Sequence, residues 1–532
     1  MRLVAVGLLA ASSTLLANEL EPSVPPAPSP YRNAPANVRP YLEQARIADF
    51  MADPLQRCLA WPEIPGARWP EGLVEAHCND SFGPRLTLAG LEKHLREGTL
   101  DELEAMLKRD LERHYSDDDF SEIIHAHFRD FDERELAGQL TLAWVEAAPE
   151  SPFAHTARGY WNRGMMGKAR GNRLARDTPQ ESFDRMHAYG DAAIRDFERA
   201  LELEPRLTEA HAGIISVARF GGREEARLAA VRQARDLAPA CRAWGRQFMI
   251  TLEPRWGGSL DEMVQFAETL EPHFAKRPLA SIVAVMPQLT VSDELRRAER
   301  WSDAARVARE ATLQTTDITA YRDAGQSILA QAQGNRWEAL MYLLGESRLD
   351  EGSAYAARQR GRLIWDLTED VEWAALALQR AVDMDPQNGL GQWLLGGIRA
   401  TQGRFDDAEA AYREAMLDPA QRRSAMTNLV SMRLMQDDLA SAKPYVDALT
   451  TEYPVYGWGW FFNALLVIDG KGADFDPDDP DVLAALEKFE QTADPNDPKQ
   501  LMQLRALRDA HQQALEAMQQ AEAESARTDG GE

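Results

Sequence analysis

From Tyr41 onward, apolar positions recur three and four residues apart in windows broken by glycine, proline or short polar turns. Ala, Leu, Glu, Arg and Gln dominate these windows, and alternating β-branched runs are scarce. The pattern predicts helix, turn, helix, repeated, and so an all-α chain. The windows themselves repeat. Trp337, Val371, Phe405 and Leu439 stand 34 residues apart, as do Ala374, Ala408 and Ala442. Leu378, Tyr412 and Val446 form a third column, Ala381, Ala415 and Leu449 a fourth, and Pro386, Pro419 and Pro454 close successive units. Ala193, Phe197, Ala200 and Pro205 recur at the same interval as Arg227, Val231, Ala234 and Pro239. Agreement of four columns at one period marks a repeat architecture. In each unit a small alanine lets two helices approach, a larger residue four positions later fills the gap, and proline stops the second helix.

These residues resemble the tetratricopeptide (TPR) repeat. Residues 389–422 match best: Leu395, Gly396, Gly403, Phe405, Ala408, Tyr412 and Ala415 follow the family pattern, while Arg399 replaces an aromatic or apolar residue and Pro419 comes one position early. Trp365, Ala374, Leu378, Ala381 and Pro386 mark the unit before. The resemblance covers residues 354–461 and 183–239, more weakly 300–349. It implies a TPR-like α-solenoid, a right-handed superhelix of helical hairpins whose concave face binds peptides or proteins. The first helix of each pair lines that face in the family. On that implication Arg358, Arg362, Gln392, Arg399, Asn428 and Arg433, positions that do not pack inward, are exposed candidate binding residues. The chain also resembles a bacterial family of unknown function built on the same repeats, through Lys168-Ala-Arg-Gly171 and Pro254-Arg-Trp-Gly-Gly-Ser259. That second resemblance spans residues 61–271 and implies a fold but no chemistry.

The ends read differently. Arg2 and the apolar run of residues 3–16 form a signal peptide over 1–17, because some fifteen helical residues span only about 22 Å, too short for a bilayer core of about 30 Å. A proline-rich linker, extended and solvated, follows over 18–40. Residues 41–275 read as an N-terminal helical domain, irregular at first and TPR-like at 174–241, and residues 276–470 as the main repeat array. Residues 471–498 read as a solvated, acidic, proline-rich loop, and 499–532 as a polar C-terminal helix with a disordered tail. The leader places the chain in the periplasm or outside the cell.

Composition narrows the chemistry. The 532 residues carry 59 Lys and Arg against 85 Asp and Glu, a net charge of -26, which disfavours nucleic acid and anionic lipid as partners. Three cysteines exclude a disulfide-dense miniature fold. Cys58 and Cys78 are either a disulfide, given export, or two buried thiols, and Cys241 stands apart within the repeats. Phosphate-loop, nucleophile-elbow and His-Glu-x-x-His motifs are missing. His125 and His127 point to opposite sides of a helix, and His114 lies about three turns from His125, beyond ligand distance. Asp474, Asp476 and Asp478 open like a calcium loop, but Asp479 and Ala485 occupy the positions where glycine and glutamate are required. No metal and no cofactor is expected. Gly257 and Gly258 permit a positive-φ turn, and Ser259 with Glu262 forms a capping box. Arg255 and Trp256 beside them are an exposed recognition pair or a packed junction between repeats. Trp373, Trp393, Tyr456, Trp458, Trp460, Phe461 and Phe462 are mostly inter-helix core. The reading is an exported helical-repeat scaffold that binds a protein or peptide without catalysis. The alternatives are a hydrolase-like enzyme using Glu75, His77, Asp80, His125 and His127, and a structural assembly subunit.

Overall fold

Many helices in this chain start where a short oxygen-bearing side chain can hold a free backbone N–H. Ser151, Ser259, Asp317, Asn335, Ser353, Asp370, Asn388, Asp418 and Asp438 each accept from an N–H two or three residues on. The computed structural model describes residues 31–116, 122–220, 223–350, 352–472 and 475–529. Among the described residues there are 27 α-helices and no strand. The proposed leader and the first part of the linker, residues 1–30, lie outside them.

Consecutive helices pair as hairpins. Pro152–Arg170 packs on Gln180–Leu203, Thr208–Ala218 on Glu224–Leu237, Ile318–Leu329 on Arg336–Leu349, Ala354–Thr368 on Val371–Met384, and Gly389–Thr401 on Phe405–Ala415. Pro419–Met435 pairs with Leu439–Glu452, and Gly457–Lys471 with Pro480–Thr492. The alanine columns sit at these seams: Ala193, Ala374, Ala408 and Ala442 are all buried. The close approach is sharpest where one helix of a hairpin carries glycine. A Cβ on Gly159 would stand 2.6 Å from the Phe197 ring, and one on Gly396 would stand 2.7 Å from the Tyr412 ring.

A second device recurs at the junctions and has no obvious sequence signature. The carbonyl between two repeats accepts a hydrogen bond from a side chain six residues on: Trp244 to Ala238 at 2.8 Å, Gln392 to Pro386 at 2.9 Å, and Trp460 to Pro454 at 2.9 Å. His155 bonds the Pro149 carbonyl at 2.9 Å in the same register, and His211 bonds that of Pro205 at 3.4 Å. Each donor satisfies a carbonyl in the turn at or just beyond the end of the preceding helix.

The described residues divide into two compact units, one of residues 34–352, the other of residues 31–33 with those from 353 on. The expected boundary at 275/276 therefore falls inside the first unit, where Leu260–Leu270 packs on Ala280–Ala284 and on Met286–Arg297. The irregular N-terminal block is part of the same unit. Trp69 donates to the Thr312 carbonyl at 2.8 Å, the Arg68 N–H to that of Leu313 at 2.8 Å, and Arg348 to that of Cys58 at 2.9 Å. Cys58 and Cys78 form a disulfide there, with Cα atoms 5.7 Å apart.

The described parts of two segments expected to be solvated are packed. In the linker, Tyr31 is buried and donates to Asp370 at 2.9 Å, and its ring meets the edge of Trp373. Ala34 and Val38 are also buried, and the helix Arg39–Asp49 follows with proline in its first turn. In the acidic stretch, Asp479 caps Pro480–Thr492, whose Val482, Ala485 and Phe489 are buried at helical spacing. Pro40, Pro480 and Pro498 do not break helices but stand in their first turns, where a missing N–H is harmless. The C-terminal helix runs from Pro498 to Asp529.

Ala408→Trp forces an indole into a fully buried seam and should lower stability by at least about 1–3 kcal/mol; an unchanged thermal midpoint would contradict the helix register. Replacing both Cys58 and Cys78 by serine opens a 21-residue loop and should remove about 3 kcal/mol. Because Arg348 holds the Cys58 carbonyl, hydrogen exchange should then rise along Arg336–Leu349 as well as around the lost bridge.

Candidate functional site

The first helices of the 353–532 unit do not present the exposed patch that the repeat resemblance implies. Gln392 is buried, spent on the Pro386 carbonyl. Arg358 donates to Asn388 at 2.8 Å and covers the Tyr355 ring. Arg399 donates to Gln379 and Gln402, both at 2.9 Å, and burial followed by nearby Arg404 lowers its pKa. Asn428 donates to the Tyr412 hydroxyl at 3.3 Å, and Arg433 is paired with Glu409 and with Asp438. Arg362 differs, its side chain 58% exposed with Asp366 at 3.8 Å. The others are held by partners up to a repeat away, which long arginine stems reach and linear spacing does not show.

The same unit offers an apolar cleft instead. A cavity of about 460 Å³ is walled by Leu465, Ile468, Phe475, Val482, Leu507, Ala514 and Met518, with Asp476, His511 and Gln513 as its polar groups. His511 is fixed by the Pro477 carbonyl at 2.7 Å. The aromatic residues nearby are structural. Phe461 and Phe462 are buried, Trp458 donates to Asp497 at 3.0 Å, and Trp460 serves its repeat junction.

In the 34–352 unit the turn around Gly257 has the expected φ of 92°, and Ser259 caps the next helix by accepting from the Glu262 N–H, while its hydroxyl donates to the Glu262 carboxylate at 2.8 Å instead of closing a full capping box. Gly258 has a different role: a Cβ there would stand 2.2 Å from the Leu252 carbonyl oxygen, so close backbone approach is what requires glycine. Trp256, 39% exposed, meets the Phe220 edge and lies under the Arg219 guanidinium at 5.0 Å. Arg255 pairs with Glu253 at the edge of a charged cavity of about 270 Å³ that also includes Arg246, Asp293 and Arg297.

The five residues proposed for acid–base work do not form one site. Glu75 is exposed. His127 accepts from the Leu86 N–H at 2.8 Å and meets Asp110 at 2.9 Å. Asp80 is buried between Arg129 and Arg242; burial opposes its ionisation, but the two guanidinium groups outweigh that and hold its pKa below the ordinary value. His77 bonds Thr316 at 2.7 Å. Burial first, then Arg242, with Arg129 and Arg348 adding, pushes its pKa down to about 3 against the pull of Asp80.

His125 belongs to a different cluster, built from residues far apart in sequence. Its Nδ1 meets the Glu209 carboxylate, its Nε2 lies 3.2 Å from Cys241 Sγ, and Thr208 Oγ1 is 3.5 Å away. Burial works against its charged form, but Cys241 and Glu209 prevail and raise its pKa. The expectation that His114 stays out of reach fails. The helix Leu100–His114 ends at that residue, and the chain re-enters at Glu122 with a left-handed φ of 52°. The two imidazole rings therefore meet edge to face, centroids 5.0 Å apart. A single helix through both residues was the wrong premise.

No protein-family profile matches the chain, and no curated protein sequence matches it. Solved structures similar to it include YrrB, described as a TPR protein with an unusual peptide-binding site, at 18% identity and TM-score 0.31 over 33% of this chain and 89% of that one. The Cut9–Hcn1 hetero-tetramer of the APC/C is similar at 11% identity and TM-score 0.32 over 78% and 95%. With TM-scores this low, the helical-repeat fold rests on the chain's own helix pairing.

His77 sets a pH dependence. Unfolded, it takes up a proton near 6.5, but folded only near 3, so the stability it contributes is complete above 6.5 and falls as pH drops toward 3. The slope should reach about 1.4 kcal/mol per pH unit, and His77→Gln should flatten it in denaturant titrations between pH 7 and 4. Asp80→Ala leaves two half-buried guanidinium groups without their carboxylate and should cost up to about 3 kcal/mol, read as a lower denaturation midpoint.

Proposed function

We propose that this chain is an exported helical-repeat scaffold that docks an apolar segment of a protein partner and performs no catalysis of its own. The observation that carries the reading is the cleft of about 460 Å³ at the end of the 353–532 unit, apolar along its walls with a few fixed polar groups at Asp476, His511 and Gln513. Clefts of that size hold one or two large side chains, and buried apolar anchors supply most of the energy of such interfaces. The acidic balance of the chain favours a segment with basic flanks. The Cys58–Cys78 disulfide and the apolar run of residues 3–16 support passage to an oxidising compartment.

Ala514→Arg places a charge in the cleft on a half-exposed helix. It should abolish capture of partners from the exported fraction while leaving the melting curve unchanged. An unaltered set of captured proteins would move the docking site elsewhere. Chemical sequencing of the exported protein should begin near Asn18; a chain that still starts at Met1 would remove the leader from the proposal.

A further inference from the structure

We propose that Cys241, His125, His114 and Glu122 form a closed binding site for one thiophilic divalent cation of the zinc class inside the 34–352 unit. Tetrahedral zinc takes thiolate sulfur at about 2.3 Å and imidazole nitrogen or carboxylate oxygen at about 2.0–2.2 Å, so adjacent donors stand about 3.3–3.8 Å apart. Cys241 Sγ lies 3.2 Å from His125 Nε2 and 3.4 Å from Glu122 Oε2, and that oxygen lies 3.9 Å from the same nitrogen. A ring nitrogen of His114, the sulfur and a His125 nitrogen all fall within 4.8 Å of one another. Three donors thus already hold nearly the spacing a bound ion imposes, and the fourth, His114, lies within 4.8 Å of two of them.

The surroundings fit the same assignment. A metal-bound histidine characteristically gives its other nitrogen to a carboxylate, which fixes ring and tautomer. Here the Glu209 carboxylate sits on His125 Nδ1 and leaves Nε2 directed at the thiol. His114 is fully buried, and its Nδ1 has no hydrogen-bond partner among the described residues, a state that costs free energy unless something occupies it. Glu122 is buried in left-handed backbone and accepts from the Arg242 N–H at 3.0 and 3.3 Å and from the Cys241 thiol at 3.4 Å, while the Arg242 guanidinium goes to Asp80. A buried thiol, two buried carboxylates and two imidazoles suit a dication. The sulfur and nitrogen donors select against magnesium and calcium. With all four donors buried, the site is of the structural kind, tying the end of one helix and the re-entering chain to the start of Arg242–Thr251.

The test uses the full chain, untagged and with its disulfide intact, so that Cys241 is the sole thiol. After stripping with a chelator and dialysis against zinc, elemental analysis should find one zinc per chain. Cobalt(II) should give tetrahedral ligand-field bands and a thiolate charge-transfer band, which Cys241→Ser abolishes together with zinc retention. Glu209→Gln should weaken zinc binding about 10–100-fold. Because Cys241→Ser could disturb folding, thermal unfolding of the unaltered chain gives a second readout: zinc should raise the midpoint, and chelator should lower it again. Failure to retain zinc, a cobalt spectrum lacking the thiolate band, or a midpoint indifferent to zinc would each overturn the site and leave a thiol–imidazole–carboxylate hydrogen-bond network.

Discussion

The hairpins depend on one steric condition: a large side chain on one helix must lie against a position on its neighbour that has almost no side chain. Phe197 against Gly159 and Tyr412 against Gly396 show it at its limit, because a single added carbon would overlap the ring in either place. No hairpin buries its apolar face alone, so each seam needs the next hairpin to exclude water. The junction bonds follow from the same geometry. Helices packed this closely end at a fixed level, and the carbonyl left at that level finds Trp244, Gln392 or Trp460 from the following helix.

Within the 34–352 unit the irregular N-terminal block is secured by polar contacts more than by repeats. The carbonyls of Thr312, Leu313 and Cys58 are taken up across some 240 to 290 residues of sequence. Asp80 gathers Arg129 and Arg242, and the disulfide closes the loop between them and the first helices. Buried ion pairs of this kind add little net stability but penalise any packing that separates them. They make the block a fixed part of the unit, and that rigidity allows the cluster around His125 to hold its donors in place.

The two functional proposals concern different units and rest on different physics. Docking in the 353–532 unit relies on apolar burial in a cleft whose walls come from its last three helices. The cation site relies on donor spacing and on the cost of leaving buried nitrogen and oxygen unsatisfied. Neither requires the other.

The 34-residue columns in the sequence determined the all-α class, the hairpin pairing from Ala354 to Phe461 and the alanine seams, because helix periodicity and small-residue spacing are local properties that survive without coordinates. Ser259 as a cap and Gly257 as a left-handed turn were legible for the same reason. Tertiary structure decided what depends on distant partners. Prolines meaning a stop on paper became helix starts at Pro480 and Pro498, since only the fold supplies the apolar surface that their helices cover. Arg358, Arg399 and Arg433 looked free until the adjoining helices provided Asn388, Gln379 and Glu409. His125 meets Glu209 and Cys241 across 84 and 116 residues, a convergence no spacing rule encodes, because it is set by where packed helices end and not by the residues between them.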